Sequence, residues 1–352
     1  MNKRPPKDGE KQQIINTLLV DGNALFKFGF FGAKGEYNHR GEHIGGLYQF
    51  LTILRKLLTE DLYHRVYVFW DGNLSGKLRF NLYPEYKGDR DKDYINGTHP
   101  TDASELQQRE KIWSYLDELC IKQLMDDVVE SDDFIAYYCK QREPNEKITI
   151  CTLDRDLSQL IEENVRIYFC DLKAYITPHN YSEFFPHYYE NIGVIKIIAG
   201  DTSDTIKGIK GVKEKTLLNL FPELTQFKVT LDQIIERAKV LQEERINAKK
   251  PPLKSLDNIV NGVTDGCQGD KFYEINTKII NLKEPLITES AINKINDLID
   301  GKLDSSNRTI KEVYDKMKKD GLERTIGPTR YPEYLLPFKK FRERQLKNEE
   351  IV

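Results

Sequence analysis

Three short apolar runs each end in acidic residues: Thr17-Leu18-Leu19-Val20-Asp21-Gly22, Val66-Tyr67-Val68-Phe69-Trp70-Asp71-Gly72 and Ile148-Thr149-Ile150-Cys151-Thr152-Leu153-Asp154-Arg155-Asp156. Continuous apolar runs of this length, followed by helical patterns, read as parallel strands buried on both faces. The stretch from Gly46 to Thr59 is such a pattern, with Leu47, Phe50, Leu51, Leu54, Leu57 and Leu58 at helical spacing, and Val165 to Cys170 makes a further strand. The expected fold is α/β, a doubly wound, mostly parallel sheet over residues 14–199. In such a sheet the ligand lies beyond the carboxyl ends of the strands, so three aspartates, one from the end of each run, are expected to converge on one crevice.

Two further segments add carboxylates. Glu130-Ser131-Asp132-Asp133 opens an apolar helix (Phe134, Ile135, Tyr138), and Asp201-Thr202-Ser203-Asp204 sits on a glycine-led turn. Each close carboxylate pair repels by roughly 4 kcal/mol at ~4 Å with an effective dielectric near ~20, and this crowding calls for divalent cations. Two Mg²⁺ or Mn²⁺ ions about 3.5–4 Å apart can activate a water and neutralise a scissile phosphate, and such hard ions take oxygen ligands, so no histidine is needed.

Taken singly, each piece has a plainer reading. An Asp-Gly after a strand is commonly only a turn, and acidic residues at a helix start complement its macrodipole. Asp154 and Asp156 point to opposite sides of an extended strand unless the chain turns there, and Asp201 or Asp204 can cap the following helix. Their joint occurrence is what points to a site.

Composition narrows the class. The balance of 39% apolar and 31% charged residues over 352 residues is that of a soluble globular protein. No apolar stretch approaches the roughly 20 residues that span a bilayer, and a cytoplasmic, monomeric protein is expected, a phage-encoded one acting in its host included. Five cysteines (Cys120, Cys139, Cys151, Cys170, Cys267), odd in number and without a close Cys-x-x-Cys pair, argue against a disulfide framework and against a zinc-thiolate site. The formal net charge of −3 does not exclude nucleic acid, because a carboxylate-filled site hides local basic patches in the sum.

Along the chain, residues 1–13 read as a flexible leader. Residues 86–125 begin charged and loop-like (Lys87-Gly88-Asp89-Arg90-Asp91-Lys92-Asp93) and turn helical near Glu105, which suits a mobile arch over the site. A turn-and-helix region covers 200–290, with a Pro/Gly-containing linker over about 249–269, and residues 291–352 form a helical part ending in the basic tail Phe338-Lys339-Lys340-Phe341-Arg342-Glu343-Arg344. Gly208-Ile209-Lys210-Gly211 suits close backbone approach to a phosphate, with Lys210, Lys213 and Lys215 adding charge. Phe28, Phe30 and Phe31 read equally as a wedge against a duplex end and as core aromatics.

In their order and spacing these elements resemble the 5′-nuclease, or flap endonuclease, family, with its phage 5′→3′ exonucleases and primer-removing members. The resemblance runs from Leu18 to about Leu220 and more weakly through Ile275 to Ile287. It is carried by Asp21-Gly22; Phe69-Trp70-Asp71-Gly72 with Arg79 and Pro84-Glu85-Tyr86-Lys87-Gly88-Asp89-Arg90; Glu130-Ser131-Asp132-Asp133; Thr152-Leu153-Asp154-Arg155-Asp156 with Ser158-Gln159-Leu160; and the stretch from Gly200-Asp201-Thr202-Ser203-Asp204 to Thr216.

The resemblance implies two Mg²⁺ (or Mn²⁺) ions. Asp21, Asp71, Glu130 and Asp132 would surround the first, Asp133 would lie near both, and Asp154, Asp156, Asp201 and Asp204 would serve the second. Lys87, Arg90 and Arg79 correspond to basic gateway residues that clamp the scissile phosphate. Tyr86 is either a stacking platform for an unpaired base or a packing anchor. Gly208, Lys210, Gly211, Lys213, Lys215 and Thr216 form a helix-hairpin-helix-like DNA grip, where the family commonly has glycine in place of Lys213 and asparagine in place of Thr205. The implied activity is phosphodiester hydrolysis in DNA at 5′ ends, flaps and nicks, with RNA-primed strands as further substrates, in replication or repair, and with replication proteins as partners of the basic tail. The rivals are a PIN-like ribonuclease, against which the glycine hairpin argues, and a non-catalytic DNA-junction binder, against which the filled acidic positions argue.

Overall fold

The computed structural model describes residues 14–33, 35–88, 103–265, 269–302 and 308–349. The expected leader and Arg90 lie outside the described residues. Six strands, β1 (Ile15–Asp21), β2 (Arg65–Asp71), β3 (Lys122–Asp126), β4 (Glu146–Thr152), β5 (Val165–Phe169) and β6 (Ala174–Ile176), form one sheet in the order β3-β2-β1-β4-β5-β6. The first five run parallel and β6 is antiparallel to β5. The chain winds outward from β1 through β2 to β3, then returns to the other side of β1 with β4. That reversal makes the β1/β4 boundary the topological switch point.

Alternation along β1 shows why the sheet is buried on both faces. Leu18 and Val20 enter a core with Leu25 and Phe26 of α1 (Gly22–Gly32), the apolar stripe of α2 (Gly45–Glu60), and Ile112, Tyr115 and Leu116 of α4 (Ala103–Glu118). Leu19 faces the opposite core, with Phe134 and Ile135 of α5 (Ser131–Gln141) and Ile295 of α11 (Glu289–Asp300). The short α3 (Lys77–Leu82) follows β2. Together these elements make the α/β architecture expected from the apolar runs.

A third core belongs to the helical region. There α6 (Ile192–Ala199), the two-stranded ribbon β7 (Gly200–Asp201) and β8 (Ile206–Lys207), α7 (Glu214–Leu220), α8 (Leu231–Asn247), α9 (Lys254–Val260) and α10 (Asp270–Ile280) gather around Ile198, Leu217, Ile234, Leu256 and Phe272. The Thr230–Gln233 capping box starts α8.

Three expectations are corrected by the packing. The 249–269 stretch contains α9, whose Leu256 and Ile259 are buried, so its prolines mark a turn between helices more than a linker. Residues 122–125 of the expected arch belong to β3, an edge strand in register with β2. The basic tail is part of α14 (Tyr331–Glu349), which follows α12 (Ile310–Lys319) and α13 (Leu322–Ile326) and buries Tyr334, Leu335, Phe338 and Phe341 in the α1/α2 core. Its lysines and arginines had concealed an apolar face. Among the described residues no helix is long and apolar enough to cross a membrane.

Candidate metal centre

The carboxyl ends of β2, β1 and β4 lie side by side, which brings their aspartates together. Asp21 caps α1, accepting from Ala24 N at 3.0 Å, and its other oxygen accepts from Thr152 Oγ1 at 2.9 Å. Asp71 accepts from Asn23 Nδ2 at 2.9 Å and from the Ser131 amide at 2.8 Å. Asp154 caps a 3-10 turn (Arg155–Leu160) by accepting from the Asp156 amide at 2.8 Å. These aspartates thus do the local work of turns and caps and still leave carboxylate edges facing the crevice.

Electrostatics divides the carboxylates into two kinds. Burial first, then the neighbouring Asp71, pushes Asp21 up to about 7. Asp132 is pushed well above the usual carboxylate range by burial and then by Asp154, Asp21, Asp71 and Glu130, and burial also raises Asp154 and Asp204. Glu130 goes the other way: against the effect of burial, Lys87 and Arg79 pull it down to about 2. Asp201 is likewise lowered against burial, by Lys196 and Ser203.

The donor set fits divalent cations. Oδ1 of Asp132 is buried without a hydrogen-bond partner, which is costly unless a cation or donor meets it. Asp132 shares its surroundings with Asp154, Asp21 and Asp71. A second group, Asp156, Asp201 and Asp204, brings three carboxylate oxygens within 4.8 Å of one another. All these donors are oxygens, as hard ions require. Asp154 stands between the groups, because its surroundings also include Lys196, Lys87 and Asp201.

The contacts bear on four expected site residues, Arg79, Asp133, Tyr86 and Gly208. Arg79 and Asp133 face each other and not the crevice: Arg79 Nη1 and Nη2 fork onto Asp133 at 2.5 and 3.0 Å, Nη1 reaches Glu130 at 2.5 Å, and Nε donates to Ile279 O at 2.9 Å. Asp133 also accepts from the Leu286 amide at 2.9 Å, so both its oxygens are engaged within the protein. Tyr86 is 3% exposed, with its ring in the helical core and its hydroxyl 3.1 Å from Glu130 and 3.3 Å from Asp204, so the packing-anchor alternative describes it and no face remains for a base. Gly208 is needed by the chain itself, since a Cβ there would lie 2.1 Å from the Ala199 carbonyl carbon.

Other expected residues sit at the rim. Lys87 pairs with Glu130, and its backbone amide donates to Asp204 O at 2.8 Å. Lys213 and Lys215 are exposed and, with Lys196, Asp201 and Pro186, line a groove of about 630 Å³ leading from the second acidic group. Lys210 pairs with Asp265 at 2.9 Å. Gly211 has φ +77 with open space where a side chain would go, and Thr216 lies in α7. Phe28 and Phe30 pack on the core, whereas Phe31 is 55% exposed.

Lys196, Asn23, Ser131 and Thr152 were missed. Lys196 bridges Asp156 and Asp201, and its one signal was being the only charge in the apolar run Ile192-Gly193-Val194-Ile195-Lys196-Ile197-Ile198. The others are neutral residues at element ends, Asn23 in the first turn of α1, Ser131 at the start of α5 and Thr152 at the end of β4.

The two departures from the family pattern differ in cost. Lys213 has φ −107, which any residue adopts, so a glycine is not required there. Thr205 has φ +59, unfavourable for a β-branched residue, and its Oγ1 is buried without a partner. Asparagine tolerates that region. Thr205→Asn is therefore expected to raise stability by about 1 kcal/mol, read as a higher urea midpoint at unchanged slope. A lowered midpoint would show that the Thr205 backbone carries no strain that asparagine relieves.

A doubly wound parallel sheet that gathers acidic side chains at its switch point, beside a groove lined by Lys213 and Lys215, defines an α/β protein whose donor set suits hard cations. Residues 16–186 match the profile of the 5′-3′ exonuclease N-terminal resolvase-like domain. The chain is 28% identical over 270 residues to a 5′-3′ exonuclease of Mycoplasmopsis pulmonis, covering 72% of this chain and 82% of that one. It is 33% identical over 208 residues to a thermostable DNA polymerase I of Thermus thermophilus, covering 59% of this chain but 24% of the relative, so it spans about a quarter of that polymerase's length. The fold is that of the bacteriophage T5 5′-exonuclease solved with divalent zinc, with a TM-score of 0.53, 21% identity and coverage of 88% and 98% of the two chains.

Proposed function

We propose that the chain is a structure-dependent 5′→3′ exonuclease and 5′-flap endonuclease that hydrolyses phosphodiester bonds in DNA with two Mg²⁺ or Mn²⁺ ions. The observation that carries this reading is the crowding of Asp21, Asp71, Asp132 and Asp154 at the sheet's switch point, next to a groove lined by Lys213 and Lys215. Asp21, Asp71, Asp132 and Asp154 would hold one ion, and Asp156, Asp201 and Asp204 the other. Bound there, the pair would activate a water and stabilise the charge that develops on the phosphate. Glu130 stays ionised beside Lys87, so its carboxylate can turn toward a cation while the Lys87 ammonium turns toward a phosphate. Arg79 and Asp133 brace Glu130 from behind.

Duplex DNA would run along the groove, its phosphates meeting Lys213, Lys215 and the backbone at Gly211. DNA with 5′ flaps, nicks or ends is the expected partner, and RNA-primed strands are further substrates. The test is cleavage of end-labelled 5′-flap, nicked, blunt and RNA-primed duplexes, and of single-stranded RNA, with Mg²⁺ or EDTA. Mg²⁺-dependent release of 5′ flaps is the expected result. Cleavage of single-stranded RNA alone would move the chain to the ribonucleases, and tight binding of branched DNA without cleavage would make it a junction-binding protein.

A further inference from the structure

The tie between Asp71 and the rest of the protein extends one residue further than the metal centre itself. Asn23 donates its amide Nδ2 to Asp71 Oδ2 at 2.9 Å. That contact fixes which end of the Asn23 amide faces the carboxylate only if something holds the other end. Arg109 of α4 does so, with Nη2 donating to Asn23 Oδ1 at 3.4 Å. The guanidinium also lies over the rings of Trp70 and Trp113, at 5.8 and 5.3 Å from their centroids, and the two rings meet edge to face at 5.9 Å. Trp70 immediately precedes Asp71 in β2. Arg109 therefore grips Asp71 from two sides, through the residue before it and through the amide that bonds it.

We propose that Arg109 is a positioning residue for Asp71, acting through Asn23 to keep that carboxylate in its cation-binding orientation and so tying helix α4 to the metal centre. The inference rests on the metal-centre reading above. Without the Arg109 donor the Asn23 amide can flip and present its oxygen to Asp71, which repels the carboxylate and lets it rotate. Groups that orient a ligand from behind typically change metal affinity by 10–100-fold when removed.

The experiment is a direct Mn²⁺ titration of the full chain by isothermal calorimetry, without nucleic acid. Intrinsic fluorescence gives a second readout, because both of the chain's tryptophans, Trp70 and Trp113, touch Arg109. Arg109→Met keeps an unbranched stem against the rings and removes the donor, and is expected to weaken Mn²⁺ binding about tenfold while leaving the melting temperature in EDTA nearly unchanged. Asn23→Ala should weaken it by a similar factor. The double variant should be no weaker than Asn23→Ala alone, since the two residues act in series. Where Arg109→Met does not fold, Arg109→Gln, too short to reach Asn23, takes its place in the cycle. Unchanged Mn²⁺ affinity in the Arg109 variant, or losses that simply add, would overturn the proposal and leave Arg109 as packing. Absence of Mn²⁺ binding by the unaltered chain would instead refute the metal centre, so the two failures are distinguishable.

Discussion

Asp132→Asn is expected to abolish the proposed cleavage and, in EDTA, to make the fold more stable. Asparagine has the shape of aspartate without its charge, and Asp132 is half-buried among Asp154, Asp21, Asp71 and Glu130 with its buried Oδ1 unpartnered. Its carboxyl is held well above its ordinary range, so the sign follows from linkage. The folded state keeps the proton more readily than the unfolded chain, and stability is lost as pH rises through the folded value. The variant should therefore match the unaltered protein in acid and exceed it by several degrees in melting temperature at neutral and alkaline pH. Mn²⁺ should raise the melting temperature of the unaltered protein and not of the variant. Losing a cation worth several kcal/mol to a transition state corresponds to a rate loss of roughly 10³-fold or more. Single-turnover assays and thermal melts of the same preparations check both halves, and a variant that keeps turnover or gains the same Mn²⁺ stabilisation would sink the assignment.

Arg79→Met should cost stability more than any other single change near the crevice, about 3–5 kcal/mol in urea unfolding. Arg79 is 6% exposed and its guanidinium meets Asp133, Glu130 and the Ile279 carbonyl at once, so its removal strands the buried Asp133 carboxylate and leaves Glu130 with Lys87 as its one cation. Asp133→Asn added to Arg79→Met should recover part of that loss, since one stranded charge is gone. The penalty should also vary little with salt, because the pair is shielded from bulk ions. A phosphate-clamping Arg79 predicts the opposite pattern: normal unfolding, with a defect confined to single-turnover cleavage.

Much of this was legible in the sequence because the apolar runs and their terminal aspartates encode strand burial and strand end in the same few residues. Leu18, Leu19 and Val20 specify two-sided burial, and Asp21 marks where the strand ends. What could not be read was which carboxylate is spoken for by a neighbour. Glu130, Asp132 and Asp133 are close to identical as letters, yet one is paired with Lys87 and Arg79, one is left without a partner at Oδ1, and one is locked to Arg79. Those partners come from α3 and its following turn, so the difference exists only after tertiary packing. Tyr86 was ambiguous for the same reason. Its burial depends on helices more than a hundred residues downstream. The apolar face of the basic tail was hidden by a different route, because its core positions Phe338 and Phe341 are interleaved with Lys339, Lys340 and Arg342.

The position of α14 has a consequence for how the molecule is made. Tyr334 binds Thr52 and Arg55 of α2, Gln345 reaches the His64 carbonyl, and Phe338 and Phe341 share a core with Val66 and Val68 of β2. A ribosome that has synthesised the whole sheet, with every acidic strand end in place, has not yet delivered the side chains of α14 that complete the core on one of its faces. Until residues 331–341 emerge, the core formed by α1, α2 and α4 over that face lacks Tyr334, Leu335, Phe338 and Phe341, and the apolar side of α2 that they cover stays open to water.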